Sequence, residues 1–241
     1  MLTNTEHDLR AGDVIARARA KAYSTRNVHQ AKDDVDAALE RLMAEAQNGE
    51  PTPLPSKPTH KIKPFDLDNV HESVVAAHTA CKAWLQAASG HRKPYTLTMC
   101  GRSGCGKTHL MRNAYRVILG NTQKIARMWT WSALLSALKV EDAGFIMYTL
   151  GEVDFVFIDD IGAENISGDF TRGLSCAVLC DLLDRREGKW TMFSSNLTLS
   201  EIAKTYDARI ASRLIRNGGV ICDMTDAEDY ALREWRARNN K

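Results

Sequence analysis

Between residues 95 and 224, short apolar runs alternate with longer amphipathic stretches. Tyr95-Thr-Leu-Thr-Met-Cys100, Lys124-Ile-Ala-Arg-Met-Trp129, Val153-Asp-Phe-Val-Phe-Ile158, Trp190-Thr-Met-Phe-Ser-Ser195 and Gly219-Val-Ile-Cys-Asp-Met224 read as strands. The third is almost continuously apolar, the mark of a strand buried on both faces. Helices are expected between them: 107–119, Ser132–Leu138 with Ser132 as N-cap, about 173–187, and two within 199–216. Before the first strand, residues 70–89 predict a helix with Val70, Val74, Ala77, Cys81 and Leu85 inward. Strand alternating with helix predicts an α/β fold of three layers, a parallel sheet covered on both sides.

The prolines divide the chain. All six lie between positions 51 and 94, five of them in 51–64. Proline lacks a backbone donor and forces its neighbour out of the helical region, so 51–64 reads as an extended linker. Residues 1–50 hold no proline, and Val35, Ala38, Leu39, Leu42 and Met43 recur at helical spacing. One such helix cannot bury its own stripe, so it packs on the main domain or docks on another protein. The expected organisation is a helical docking segment at 1–50, a linker at 51–64 and a catalytic domain at 65–241.

Composition changes little. A hydrophobic share of 44%, a charged share of 26% and a net charge of +2 suit a soluble globular protein and neither require nor exclude nucleic acid. No apolar run reaches the ~18 residues of a membrane span, and the first residues lack a signal-peptide pattern, so a cytoplasmic location is expected. The six cysteines lack metal-ligand spacing and read as thiols, with Cys176 and Cys180 as two small buried residues on one helix face.

Chemistry concentrates at strand ends. Gly101-Arg102-Ser103-Gly104-Cys105-Gly106-Lys107-Thr108 fits G-x-x-x-x-G-K-[ST] between a strand and a helix, with His109 next. Glycines let the backbone N–H groups curl around phosphate, the helix start adds its dipole, Lys107 adds charge to the β- and γ-phosphates, and the Thr108 hydroxyl suits Mg²⁺. ATP with Mg²⁺ is therefore expected. Phe155-Val-Phe-Ile158 ends in Asp159 and Asp160: Asp159 to hold Mg²⁺, Asp160 to orient the attacking water. Asn196, ending Ser194-Ser195-Asn196, is a candidate for the γ-phosphate or that water, or else a turn former. Arg209, Arg213 and Arg216 recur at spacings that place them on one helix face, as a solvated stripe or as an arginine finger for a neighbour's γ-phosphate.

With these motifs in order, residues from about 65 to 232 resemble the AAA+ ATPases of the DnaC-type helicase-loader group, which includes the IstB-type transposition helpers. The carriers are Gly101–His109, Val153–Gly162, Leu183-Asp-Arg-Arg186, Ser194–Asn196 and Arg209–Leu214, with Phe65-Asp66 as the short entry to the first helix. The resemblance implies Lys107 and Thr108 as the Walker A pair and Asp159 as the magnesium carboxylate. It further implies Asn196 as sensor I, Arg213 as the trans-acting finger and Arg209 as its auxiliary. Asp160 stands where the group usually has Glu, from which slow hydrolysis is expected. The 28 residues after Arg213 are too few for a helical lid domain.

Also implied is an ATP-dependent oligomer that grips a DnaB-type replicative helicase through its amino-terminal segment and engages single-stranded DNA, with Phe170 and Arg172 as candidate DNA contacts. The alternative is an IstB-like transposition helper acting on duplex DNA; the amino-terminal 50 residues are not a basic arm, which favours the loader. A small-molecule kinase would need an acceptor site that these motifs do not supply, and a binding module with negligible hydrolysis is the remaining reading.

Overall fold

The computed structural model describes residues 70–140, 142–163 and 169–239, all within the unit Leu67–Lys241. The amphipathic segment at 1–50, the linker at 51–64 and the Phe65-Asp66 entry lie outside the described residues.

The elements run α1 (Glu72–Ser89), β1 (Thr96–Cys100), α2 (Lys107–Asn121), β2 (Ala126–Thr130), α3 (Trp131–Val140), α4 (Ala143–Glu152), β3 (Phe155–Ile161), α5 (Asp169–Arg185), β4 (Trp190–Ser195), α6 (Leu199–Thr205), α7 (Ala208–Ile215), β5 (Val220–Asp223) and α8 (Tyr230–Asn239). The five strands pair in the order β2-β3-β4-β1-β5, every pair parallel. The three-layer α/β expectation holds, and alternation along β3 shows how. Phe155 and Phe157 pack edge-on against Trp84 of α1, and Tyr115 of α2 meets Phe157. Val156 and Ile158 point the other way, into a core shared with α3, α4, α5 and α7. A strand with both faces buried needs an apolar side chain at every position, hence the unbroken run.

Several local expectations change. Leu85 is half-buried, and Trp84 takes its inward place, fully enclosed with its indole N–H donated to the Tyr95 carbonyl at 3.0 Å. Ser132 does not cap α3: the helix begins at the buried Trp131, and the hydroxyl of Thr130, ending β2, accepts the Ala133 N–H at 3.3 Å. Helices α4 and α8 were not anticipated. Cys176 and Cys180 are half-buried rather than buried; all six cysteines are free thiols. Arg216 falls beyond the end of α7, so only Arg209 and Arg213 belong to that helix. Among the described residues, no helix is long and apolar enough to cross a membrane.

Arg186 fastens the amino edge of the sheet. It is 2% exposed, and among the described residues no carboxylate forms an ion pair with its guanidinium. Instead it donates to the Thr191 hydroxyl (3.0 Å) and to the carbonyls of Leu150 (3.2 Å), Gly151 (3.4 Å), Val153 (2.5 Å), Asp154 (3.0 Å) and Trp190 (2.8 Å). These carbonyls end α4 and begin β3 and β4, so one side chain satisfies orphan acceptors of three elements. Burial pulls its pKa down to about 10, which leaves it charged at neutral pH.

Candidate active site

The loop after β1 opens at the carboxyl edge of the sheet, where ligands bind in open α/β folds. Gly101, Gly104 and Gly106 have φ of 149°, 79° and 102°. Gly104 is doubly constrained. Its φ suits glycine, and a β-carbon there would lie 2.2 Å from the Asp229 carboxylate. The carboxy-terminal segment thus closes on the loop: Met224 N–H donates to the Cys100 carbonyl at 2.7 Å, and Tyr230 N–H to the Gly104 carbonyl at 3.0 Å.

Lys107 opens α2 and is 5% exposed. Its ammonium donates to the carbonyls of Gly101 (2.6 Å) and Arg102 (2.8 Å) and to Asn196 Oδ1 (3.0 Å), with Cys105 Sγ at 3.7 Å. The other end of Asn196 donates to Asp160 Oδ1 at 2.6 Å. An ammonium only donates and a carboxylate only accepts, so these two neighbours fix the orientation of the Asn196 amide. Thr108 Oγ1 donates to Asp159 Oδ1 at 3.0 Å. That bond leaves the hydroxyl's lone pairs available, and a hydroxyl beside a carboxylate is the hard-oxygen donor set that suits Mg²⁺.

Asp159 and Asp160 occupy an irregularity in β3. Ile158 pairs with Phe193 and Ile161 with Ser195, so two residues of β3 oppose the single residue Ser194 of β4. This is a β-bulge, and it turns two successive side chains toward the edge of the sheet. Asp160 adopts a left-handed backbone with φ of 66°.

The structure therefore brings together Lys107, Thr108, Asp159, Asp160 and Asn196. Arg102 and Ser103 are exposed on the loop; His109 lies on α2, where burial and then Arg116 and Arg112 lower its pKa. Arg209 and Arg213 stand apart. Arg209 Nε and Nη2 donate to Asp207 (3.0 and 2.8 Å), and Arg213 Nε and Nη2 donate to Asp184 (2.6 and 3.2 Å). The bonds from Arg209 hold the Asp207 carboxyl down at about 2. Arg172 is exposed and donates to the Lys204 carbonyl at 3.0 Å; the Phe170 side chain lies outside the described residues.

Sequence reasoning missed the carboxy-terminal closure and Ser194 and Ser195, which it noted only as neighbours of Asn196. The available signal was two hydroxyls ending an otherwise apolar strand.

No family model matches the chain, and no curated protein matches it. Solved structures do. DnaI is similar with a TM-score of 0.55 and 22% identity, over 66% of this chain and 88% of that one. The DnaC helicase loader is similar at 0.52 and 18%, over 64% of this chain and 90% of that one. AMPPCP-bound DnaA from Aquifex aeolicus is similar at 0.51 and 16%, over 71% of this chain and 53% of that one. Likeness at such identities is likeness of fold: the chain shares the fold of DnaI and of the DnaC helicase loader over about two-thirds of its length.

Proposed function

We propose that this chain is an ATP-dependent DNA replication helicase loader that binds a DnaB-type replicative helicase and single-stranded DNA and hydrolyses ATP between subunits. The observation that carries the reading is the hydrogen-bonded set Lys107–Asn196–Asp160 beside Thr108–Asp159, at the sheet edge of a fold shared with DnaI and DnaC.

In this reading Lys107 leaves the carbonyls of its own loop for the β- and γ-phosphates, which accept more strongly because they are charged. Thr108 and Asp159 hold Mg²⁺, which supplies charge neutralisation on the phosphates. Asp160 takes the proton of the water that attacks the γ-phosphorus as the bond to the β-phosphate oxygen breaks, giving ADP and phosphate. Asn196 orients that water, and Arg213 of an adjacent subunit, assisted by Arg209, stabilises the transferred charge. Residues 1–50 dock on the helicase, 51–64 link, and 65–241 form the ATPase; Phe170 and Arg172 face DNA.

The test is native mass spectrometry of the full chain with its cognate replicative helicase, ATP and Mg²⁺, beside a truncation beginning at Phe65. A ring-plus-loader mass that disappears with the truncation is the expected result. Absence of a helicase complex, with self-assembly on duplex DNA, would replace the loader reading by the IstB-like one.

A further inference from the structure

Ser194 lies opposite both residues of the bulge, and its one hydroxyl is bonded to each. It donates to Asp159 Oδ1 at 2.5 Å and accepts the Asp160 backbone N–H at 2.9 Å. The residue is fully buried, with 0% exposure, so water does not compete for either bond. The direction of the first bond is fixed by the second: the N–H takes a lone pair, and the single proton goes to the carboxylate. Thr108 also donates to Oδ1 of Asp159, so both protein donors fall on one oxygen and Oδ2 is kept from them. Ser195, next along β4, does something different. Its hydroxyl donates to the Ile161 carbonyl at 2.7 Å and accepts Leu197 N–H at 3.0 Å, touching neither carboxylate.

We infer that Ser194 is a positioning residue for the cation end of the site: it sets the rotamer of Asp159, so that Oδ2 faces the ion, and holds Asp160 in its left-handed turn. Groups that orient a metal's carboxylate typically matter tenfold to a hundredfold in metal affinity. The inference rests on the ATPase reading, and its consequence is specific. Losing the hydroxyl weakens the help that Mg²⁺ gives to nucleotide binding and leaves metal-free binding by the Lys107 loop in place.

The experiment titrates fluorescent ADP into the full-length wild type, Ser194→Ala and Ser195→Ala, in Mg²⁺ and again in EDTA. In wild type, Mg²⁺ tightens binding. In Ser194→Ala that enhancement falls by about tenfold or more, with affinity in EDTA unchanged; in Ser195→Ala it is kept, even where the thermal midpoint drops. Should the alanine variant fail to fold, Ser194→Cys, close in size but a weak donor, is expected to lose the enhancement in the same direction. An unchanged enhancement in Ser194→Ala, or in Ser194→Cys where that stands in, overturns the positioning role and leaves the ATPase reading intact. Wild type that binds no nucleotide under either condition overturns that reading and this inference together.

Discussion

At Asp160 the backbone and the chemistry make the same demand. A left-handed turn costs an ordinary residue roughly 1–2 kcal/mol, and Asp and Asn are several-fold enriched there because their short side chains bond locally. The φ of 66° suits a shorter carboxylate at a position where the group this sequence resembles usually has Glu. Reach is not lost, since Asp160 already meets the Asn196 amide at 2.6 Å. Asp160→Asn keeps the conformation and removes the base of the proposed reaction, so nucleotide binding and thermal midpoint should stay near wild type while hydrolysis falls by about a hundredfold or more. Asp160→Glu tests the backbone claim: scanning calorimetry should show the midpoint lowered by about 2–4 °C, the shift for about 1 kcal/mol in a chain of this size. A Glu variant as stable as wild type would remove the conformational explanation.

Among the elements, those with a strong period were legible and those without were not. Five strands and six helices follow from apolar runs and helical spacing. Helix α4 carries two glycines, and its buried Ile146, Met147, Leu150 and Gly151 make a weak stripe; the better clue was Asp142, whose carboxylate accepts the Phe145 N–H at 3.1 Å. Helix α8 is mostly polar and exposed, and periodicity gives no account of a helix held at its amino end by a backbone bond to the phosphate loop. The bulge in β3 leaves no trace in hydropathy, because its two residues are the aspartates that already marked the strand end.

Helix α7 was legible as a basic face, but its braces were not. Asp207 and Asp184 each grip an arginine through Nε and Nη2, and for Arg213 that leaves the Nη1 hydrogens for a second anion. Arg213→Ala breaks a pair that is only partly shielded from water, which costs little stability. It should leave ADP binding intact and lower ATP turnover on the order of 10³-fold, as loss of a trans-acting finger does. Simultaneous loss of binding and turnover would make Arg213 a structural residue instead.

For the molecule as a whole, the proposed nucleotide binding is expected to show in stability. A ligand at about 100 times its Kd adds about 2.7 kcal/mol, or roughly 5–10 °C in midpoint for a domain of this size. Full-length protein and the chain beginning at Phe65 should show the same shift with Mg²⁺ and ADP, and Lys107→Ala should show none. A truncation without the shift would mean that the first 64 residues belong to the nucleotide site.

Alkaline pH probes the same body through its buried sulfur. Cys81 on α1, Cys100 on β1 and Cys222 on β5 have thiols raised by burial to about 12, 12 and 11, against 9.0 in an exposed thiol. The unfolded chain releases these protons above pH 9 while the folded one retains them, so the folded state binds more protons and loses stability as pH rises from 9 through 11 and 12. Between pH 9 and 10 each thiol withdraws about 1 kcal/mol; Arg186, lowered to about 10 in the folded state, begins to release its proton over the same interval and offsets a minor part of that loss. The midpoint should therefore fall by several degrees over that one unit, and Cys222→Ala should flatten the slope by less than a third, since Cys176 and Cys180 are raised by burial as well, even as it lowers the midpoint at pH 8. A slope that the substitution leaves untouched would place the alkaline sensitivity elsewhere, with Tyr115 on α2, whose hydroxyl burial also raises, as the next group to remove.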